Sequence, residues 1–146
     1  MASLNLNEQF CFSLYRASRS VIRLYGPLLK SLGITYPQYL VMLVLWEKQK
    51  ASVKEIGIQV DLDSATLTPL IRKLEDFGFV SKSRSTTDER IVDVTLTPIG
   101  RSLKAKAQKI PEGLKLLLHL NSPKKSPLDY KSIKRDLDQL FRQIES

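Results

Sequence analysis

The apolar positions change period along the chain, and the changes divide it into elements. From Leu6 to Leu28, Phe10, Leu14, Ala17, Val21 and Leu24 recur at alternating steps of four and three, predicting a helix with a narrow apolar seam. Asn5 with Glu8 is suited to cap its start. Gly26-Pro27 should end or kink it, because proline lacks the amide donor and restricts the residue before it. Tyr36-Pro37 opens a second helix that runs through Tyr39, Leu40, Leu43 and Val44 to Trp46. Ser52-Val53-Lys54-Glu55 is a capping box, in which hydroxyl and carboxylate satisfy free amides, and predicts a short helix from about Val53 to Val60. Asp63 or Ser64 caps another, whose stripe of Leu67, Leu70, Ile71 and Leu74 ends at Gly78. Only Asp61-Leu62-Asp63 separates the two, which makes a helix-turn-helix.

After Gly78 the period drops to two. Val80, Lys82 and Arg84 alternate with Ser81, Ser83 and Ser85, and beyond the polar tip at 86–90 a second alternating run covers 91–96. This is a two-stranded β-hairpin, a wing. Thr97 followed by Pro98 restarts helix, with a seam of Leu103, Ala107, Ile110, Leu114 and Leu117 that is expected to bend at Pro111. Residues 121–127 read as a loop, and a last helix carries Ile133, Leu137, Leu140 and Ile144. The predicted fold is mainly α: a winged helix-turn-helix core at about 36–96, flanked by helices at about 4–30 and 98–145, in a single domain of 146 residues. A chain of this length buries about 70% of its unfolded surface without staples. The terminal helices carry more apolar seam than so small a core can cover. A second copy of the chain is the expected cover, giving a two-fold homodimer.

The formal net charge of +8 points to a polyanionic partner. Its placement sharpens that: residues 82–109 hold seven basic side chains against three acidic ones. Arg16, Arg19 and Arg23 on the first helix read as solvated surface. A helix-turn-helix places its second helix in the major groove, so Ser64, Ala65, Thr66 and Thr68, with Arg72 farther along, become candidate DNA contacts. Ser64 reads equally as a cap. Asp88 and Arg90 at the wing tip are spaced for a carboxylate to orient a guanidinium at the minor groove, with a plain surface ion pair as the alternative. Lys82 and Arg84 suit phosphate contact, which positions without specifying sequence.

Other chemistry is scarce. Residues 1–5 lack the build of a signal peptide, and no apolar run approaches the about 20 residues that cross a bilayer, so the expected place is the cytoplasm, away from membranes. One cysteine, Cys11, excludes an internal disulfide framework and a Cys-rich zinc site. The one histidine, His119, lies far from it and suits a helix end, and no phosphate loop or metal cluster is present, so an enzyme reading fails and no cofactor or metal is expected. By local chemistry alone Cys11, beside an apolar seam with no cation next to it, reads as an inert core residue.

Four stretches carry a resemblance that changes that reading: 9–15 around Cys11, 32–46 from Leu32 to Trp46, 62–70 at the recognition helix, and Asp88-Glu89-Arg90. Over nearly its whole length the chain resembles the MarR family of winged-helix regulators, and among them the organic-hydroperoxide-sensing, OhrR-like branch. The resemblance implies a dimeric repressor on a pseudo-palindromic double-stranded DNA operator. Its first-helix cysteine is oxidised to sulfenic acid by an organic peroxide or another oxidant, after which DNA is released. It also implies that Tyr25 and Tyr36 of the partner subunit hydrogen-bond the Cys11 thiolate. Ala65 departs from the glycine common at that point. With no second cysteine, the Cys11 sulfenic acid must end as a mixed disulfide with a small thiol, a cyclic amide or an over-oxidised acid. The rival readings are a MarR-type regulator released by a small aromatic ligand, with Cys11 structural, and a winged-helix module for protein or RNA.

Overall fold

The computed structural model describes residues 4–120, 124 and 127–146. Most of the expected 121–127 loop, and the first three residues of the N-terminal segment, lie outside the described residues. Contacts divide the chain into two compact units, 1–108 and 109–146, a division that falls inside the expected C-terminal helical segment.

The first unit begins with a 3-10 turn, Leu6–Glu8, capped by the Asn5 side chain. Helix α1, Phe10–Leu29, follows. It does not end at Gly26-Pro27: proline is accommodated inside it, and a 3-10 turn, Lys30–Leu32, carries the chain on to Gly33 at φ 67°. The gain is packing, since Leu29 and Leu32 are both buried at this end, and the cost is one amide donor in the last turns. Helix α2, Tyr36–Lys48, starts on a reciprocal box between Thr35 and Gln38 and is the core of the unit, burying Tyr39, Val41, Met42, Val44, Leu45 and Trp46. The Trp46 indole N–H donates to the Gly100 carbonyl at 2.9 Å.

Strand β1, Lys50–Ser52, was not legible as a strand. It pairs antiparallel with β3, Val92–Leu96, whose other edge pairs with β2, Val80–Arg84. The expected two-stranded wing is thus part of a three-stranded sheet of order β1-β3-β2. The capping box forms as expected, with Ser52 and Glu55 exchanging hydrogen bonds at the start of α3, Val53–Val60. Helix α4, Ser64–Asp76, is capped by Asp63, not by Ser64. It buries Leu67, Ile71 and Leu74, and its exit is closed by Gly78 at φ 74°. Helix α5, Pro98–Ala107, starts on the Thr97 hydroxyl.

In the second unit, α6, Ile110–Leu117, has Pro111 in its first turn. The expected continuous seam is therefore two helices, interrupted at Gln108 and Lys109 ahead of Pro111, where proline serves as a starter instead of a bend. His119 follows α6 at φ 53°, its amide bonded to the Leu116 carbonyl. Helix α7, Tyr130–Glu145, is capped by Asp129 and buries no residue. No single helix among the described residues is long and apolar enough to cross a membrane.

Candidate functional site

The tight turn 61–63 between α3 and α4 leaves the first turn of α4 on the surface. Ser64, Ala65, Thr66 and Thr68 are all exposed there, and Arg72 is exposed one turn past Thr68. Because Asp63 takes the capping role, Ser64 stands free of it. The Thr68 hydroxyl donates to the Ser64 carbonyl at 2.7 Å, so outward it offers acceptor lone pairs and its methyl group.

Between this turn, the start of α3 and the wing lies a cleft of about 440 Å³, lined by Ser52, Val53, Lys54, Ser64, Thr68, Ile71, Lys82, Arg90, Ile91 and Val92. Four candidates from sequence meet in it: Ser64, Thr68, Lys82 and Arg90. Ala65, Thr66 and Arg72 lie on α4 outside the lining, and Arg84 and Asp88 belong to the wing around it. Lys54 is the cation that sequence reasoning passed over. It sits inside the capping box, exposed, and it makes no hydrogen bond or ion pair among the described residues. The missed signal was positional: a cation in the first turn of the first helix of a helix-turn-helix shares a face with the start of the second.

The wing tip is built by its own polar groups. Asp88 accepts the Arg90 backbone amide at 3.0 Å and takes the Arg90 guanidinium in a two-pronged fork, Nε at 3.1 Å and Nη2 at 3.2 Å. Those bonds from Arg90, side chain first and amide second, hold the Asp88 carboxyl below its usual range. The Arg90 side chain is 91% exposed, a fixed cation held out into solvent. Arg84 donates to the Glu89 carbonyl at 2.7 Å and braces the tip. Lys82 pairs with Glu75, Nζ to carboxylate at 3.2 Å.

On α1, Cys11 is exposed, contrary to a core residue's placement. Beside it Phe10 and Tyr15 are 65% and 55% exposed, and nothing on the helix from 10 to 20 is buried. Arg16 lies over the Phe12 ring, and Arg19 lies over the Tyr15 ring and bonds its hydroxyl. Tyr25 and Tyr36 meet each other, ring centroids 4.6 Å apart, in a cluster that continues through Tyr39 to Trp46. Burial pushes the Tyr36 hydroxyl above its usual pKa, so at neutral pH it remains a donor. The structure brings Tyr25 and Tyr36 together but not to Cys11 of the same chain. Cys11 and Tyr25 stand on one continuous helix, fourteen residues and hence about 21 Å apart at the α-helical rise.

Comparison with known proteins places this architecture. The family described as Transcriptional regulator SarA/Rot matches residues 23–107. The chain is 43% identical over 141 residues, 97% of its own length and 92% of the relative's, to the Organic hydroperoxide resistance transcriptional regulator of Bacillus subtilis. Among solved structures it resembles AbfR of Staphylococcus epidermidis. Reduced AbfR bound to DNA superposes at a TM-score of 0.72, with 35% identity and coverage of 97% of this chain and 96% of that one. Overoxidized AbfR bound to DNA gives 0.73, with 34% identity over 95% and 94%. Disulfide-formed AbfR gives 0.62, with 35% identity over 96% and 90%. With a winged helix-turn-helix core and these relatives along almost its entire length, the chain belongs to the MarR/SarA-type winged-helix transcriptional regulators.

Proposed function

We propose that the chain is a homodimeric repressor that binds a pseudo-palindromic operator and leaves it when Cys11 is oxidised by an organic peroxide. Cys11 carries this reading: it is an exposed thiol beside the uncovered apolar seam of α1, in a chain 43% identical to an organic hydroperoxide resistance regulator. Contact between Cys11 and the Tyr25–Tyr36 pair can form only between two chains, because about 21 Å of helix separates them within one. Phe10 and Leu14 on α1, and separately Leu137, Phe141 and Ile144 on α7, are exposed apolar side chains that a second copy would cover. In the dimer, two α4 helices address half-sites about one turn of DNA apart. Ser64, Ala65, Thr66 and Thr68 meet base edges, Arg90 oriented by Asp88 enters the minor groove, and Lys54, Arg72, Lys82 and Arg84 serve phosphates.

Oxidation proceeds in two balanced steps. The Cys11 thiolate attacks one peroxide oxygen, the O–O bond breaks, the alcohol leaves with a proton, and sulfenic acid remains; tyrosine hydroxyls donating to the thiolate favour its charged form. A small thiol then condenses with the sulfenic acid, forming the S–S bond and releasing water. AbfR is known bound to DNA in both reduced and overoxidized states, which favours the mixed disulfide as the form that leaves DNA here. The test couples a gel shift to intact mass after cumene hydroperoxide, with and without a small thiol. Release that tracks the thiol adduct, and is lost in Cys11→Ser, is expected. Release of Cys11→Ser by the peroxide would refute the mechanism.

A further inference from the structure

The geometry points to Glu75 as a positioning residue for DNA recognition, tying the wing to the recognition helix through the backbone of Lys82; this rests on the DNA-binding function proposed above. Glu75 lies in the last turn of α4, and Lys82 is the central residue of β2. Strand β2 is an edge strand, paired on one side only. The flanking bonds fix which way its amides point: Thr97 N–H donates to the Phe79 carbonyl at 3.1 Å and Ser85 N–H to the Ile91 carbonyl at 2.8 Å, so odd-numbered residues face β3. The Lys82 amide therefore faces away from the sheet, where an edge strand would leave it to water. Glu75 takes it instead. One carboxylate oxygen accepts the Lys82 N–H at 3.0 Å while the other faces Lys82 Nζ at 3.2 Å.

The carboxylate thus does two separable things. As an acceptor it fixes the wing's distance from α4, and with it the placement of Arg90 relative to Ser64 and Thr68 across the cleft. As a charge it holds the Lys82 ammonium at the cleft's edge and offsets part of its attraction for phosphate. The backbone bond is also the larger reason that the Glu75 carboxyl lies below its usual range. The ion pairs Lys115–Glu112, Lys134–Asp138 and Arg90–Asp88 join neighbours along one helix or one turn, and Lys50–Asp93 ties two strands of the sheet. Glu75–Lys82 joins the recognition helix to the wing, the two elements that must enter adjacent grooves together.

Glu75→Gln and Glu75→Ala separate the two effects, since both remove the charge and only the first keeps an acceptor. The probes are a duplex selected by the wild-type protein from a randomised pool and a scrambled duplex of the same composition. Both variants are expected to bind the scrambled duplex equally, and Glu75→Ala to show an operator-to-scrambled ratio about fivefold below Glu75→Gln, the scale of one lost neutral hydrogen bond. Equal ratios within twofold would overturn the inference. Amide hydrogen exchange on the wild-type protein needs no variant: Lys82 N–H should exchange at least about tenfold slower than Arg84 N–H, which faces the same way on the same strand. Equal exchange would overturn the inference whatever the DNA result, whereas failure of the wild type to select any duplex would overturn the function and leave the Glu75 bond standing.

Discussion

Removing the wing-tip cation isolates the electrostatic part of the proposed recognition, because in that proposal Arg90 contacts DNA, and it contributes almost nothing to the fold. Its side chain is 91% exposed, and its partners are Asp88 and solvent. Arg90→Ala should leave the unfolding transition unmoved. Each protein cation brought onto DNA, in a groove or at a phosphate, displaces condensed counterions and contributes about 0.9 to the slope of log affinity against log salt. A dimer loses two, so the slope should flatten by about 1.8, and a rise from about 50 to about 200 mM salt should then cost the variant about twelvefold less affinity than it costs the wild type. At low salt the variant is the weaker binder, and the two curves converge as salt screens the contact. Asp88→Ala keeps the cation and loses the fork together with the bond to the Arg90 amide, so its operator affinity should fall while its salt slope stays at the wild-type value. Fluorescence anisotropy on the selected duplex across a salt series reads both quantities. A slope for Arg90→Ala equal to that of the wild type would refute the placement of Arg90 against DNA, whatever the loss of affinity.

A methyl at Gly100 would lie 2.0 Å from the Phe79 carbonyl oxygen and 2.9 Å from Leu96 Cδ1, at the point where Gly100 also receives the Trp46 indole. Gly100→Ala should cost about 3 kcal/mol in urea unfolding, and an unchanged midpoint would show that α5 shifts freely. Acid stability follows from carboxylates that accept backbone amides: the carboxyls of Glu55, Asp63, Glu75, Asp88 and Asp129 all lie below their ordinary values of 4.5 for Glu and 3.8 for Asp. The folded chain binds fewer protons than the unfolded one across that range, so stability is fully present above those values and is lost as pH falls through the depressed ones. Thermal melts should be flat for these groups from pH 8 to about 5 and fall below about 4.5; a melt that rises on acidification there would contradict the sign. Phe141→Glu, on the uncovered face of α7, should dissociate the dimer in sedimentation velocity without loss of helix content. A variant that still sediments as a dimer would place the interface elsewhere.

The parts of the fold that were legible are those decided within a few residues. The Ser52 and Glu55 box, the Asp63 and Thr97 caps and Gly78 at the end of α4 each satisfy or terminate backbone groups locally, and the helices began and ended where those signals stand. Strand β1 was illegible for the opposite reason: it is three residues long, and its pairing is with residues more than forty positions away, from Lys50 with Thr95 to Ser52 with Asp93. The turn into it is made by Gln49 at φ 66°, without the glycine that usually marks such a conformation. Pro27 misled because burial of Leu29 and Leu32 outweighs a single missing donor. At the candidate site, residue identity located the wing fork but not the Glu75 bond, since a backbone amide acquires a direction only when strand register is known.

Cys11 shows how a helix converts sequence spacing into an assembly requirement. Fourteen residues on a flexible loop could fold back and join Cys11 to Tyr25; fourteen residues of α-helix hold them about 21 Å apart. A site containing both therefore takes its thiol from one chain and its tyrosines from another, and two-fold symmetry makes two such sites for each dimer. Local chemistry around Cys11 argues for an inert thiol because the groups that would activate it are not its sequence neighbours. In the proposed dimer a change in volume or polarity at Cys11 falls between subunits, where the separation of the two α4 helices is also set. A monomeric Phe141→Glu protein should accordingly lose operator affinity and rapid peroxide reaction together, although neither α4 nor Cys11 has been altered.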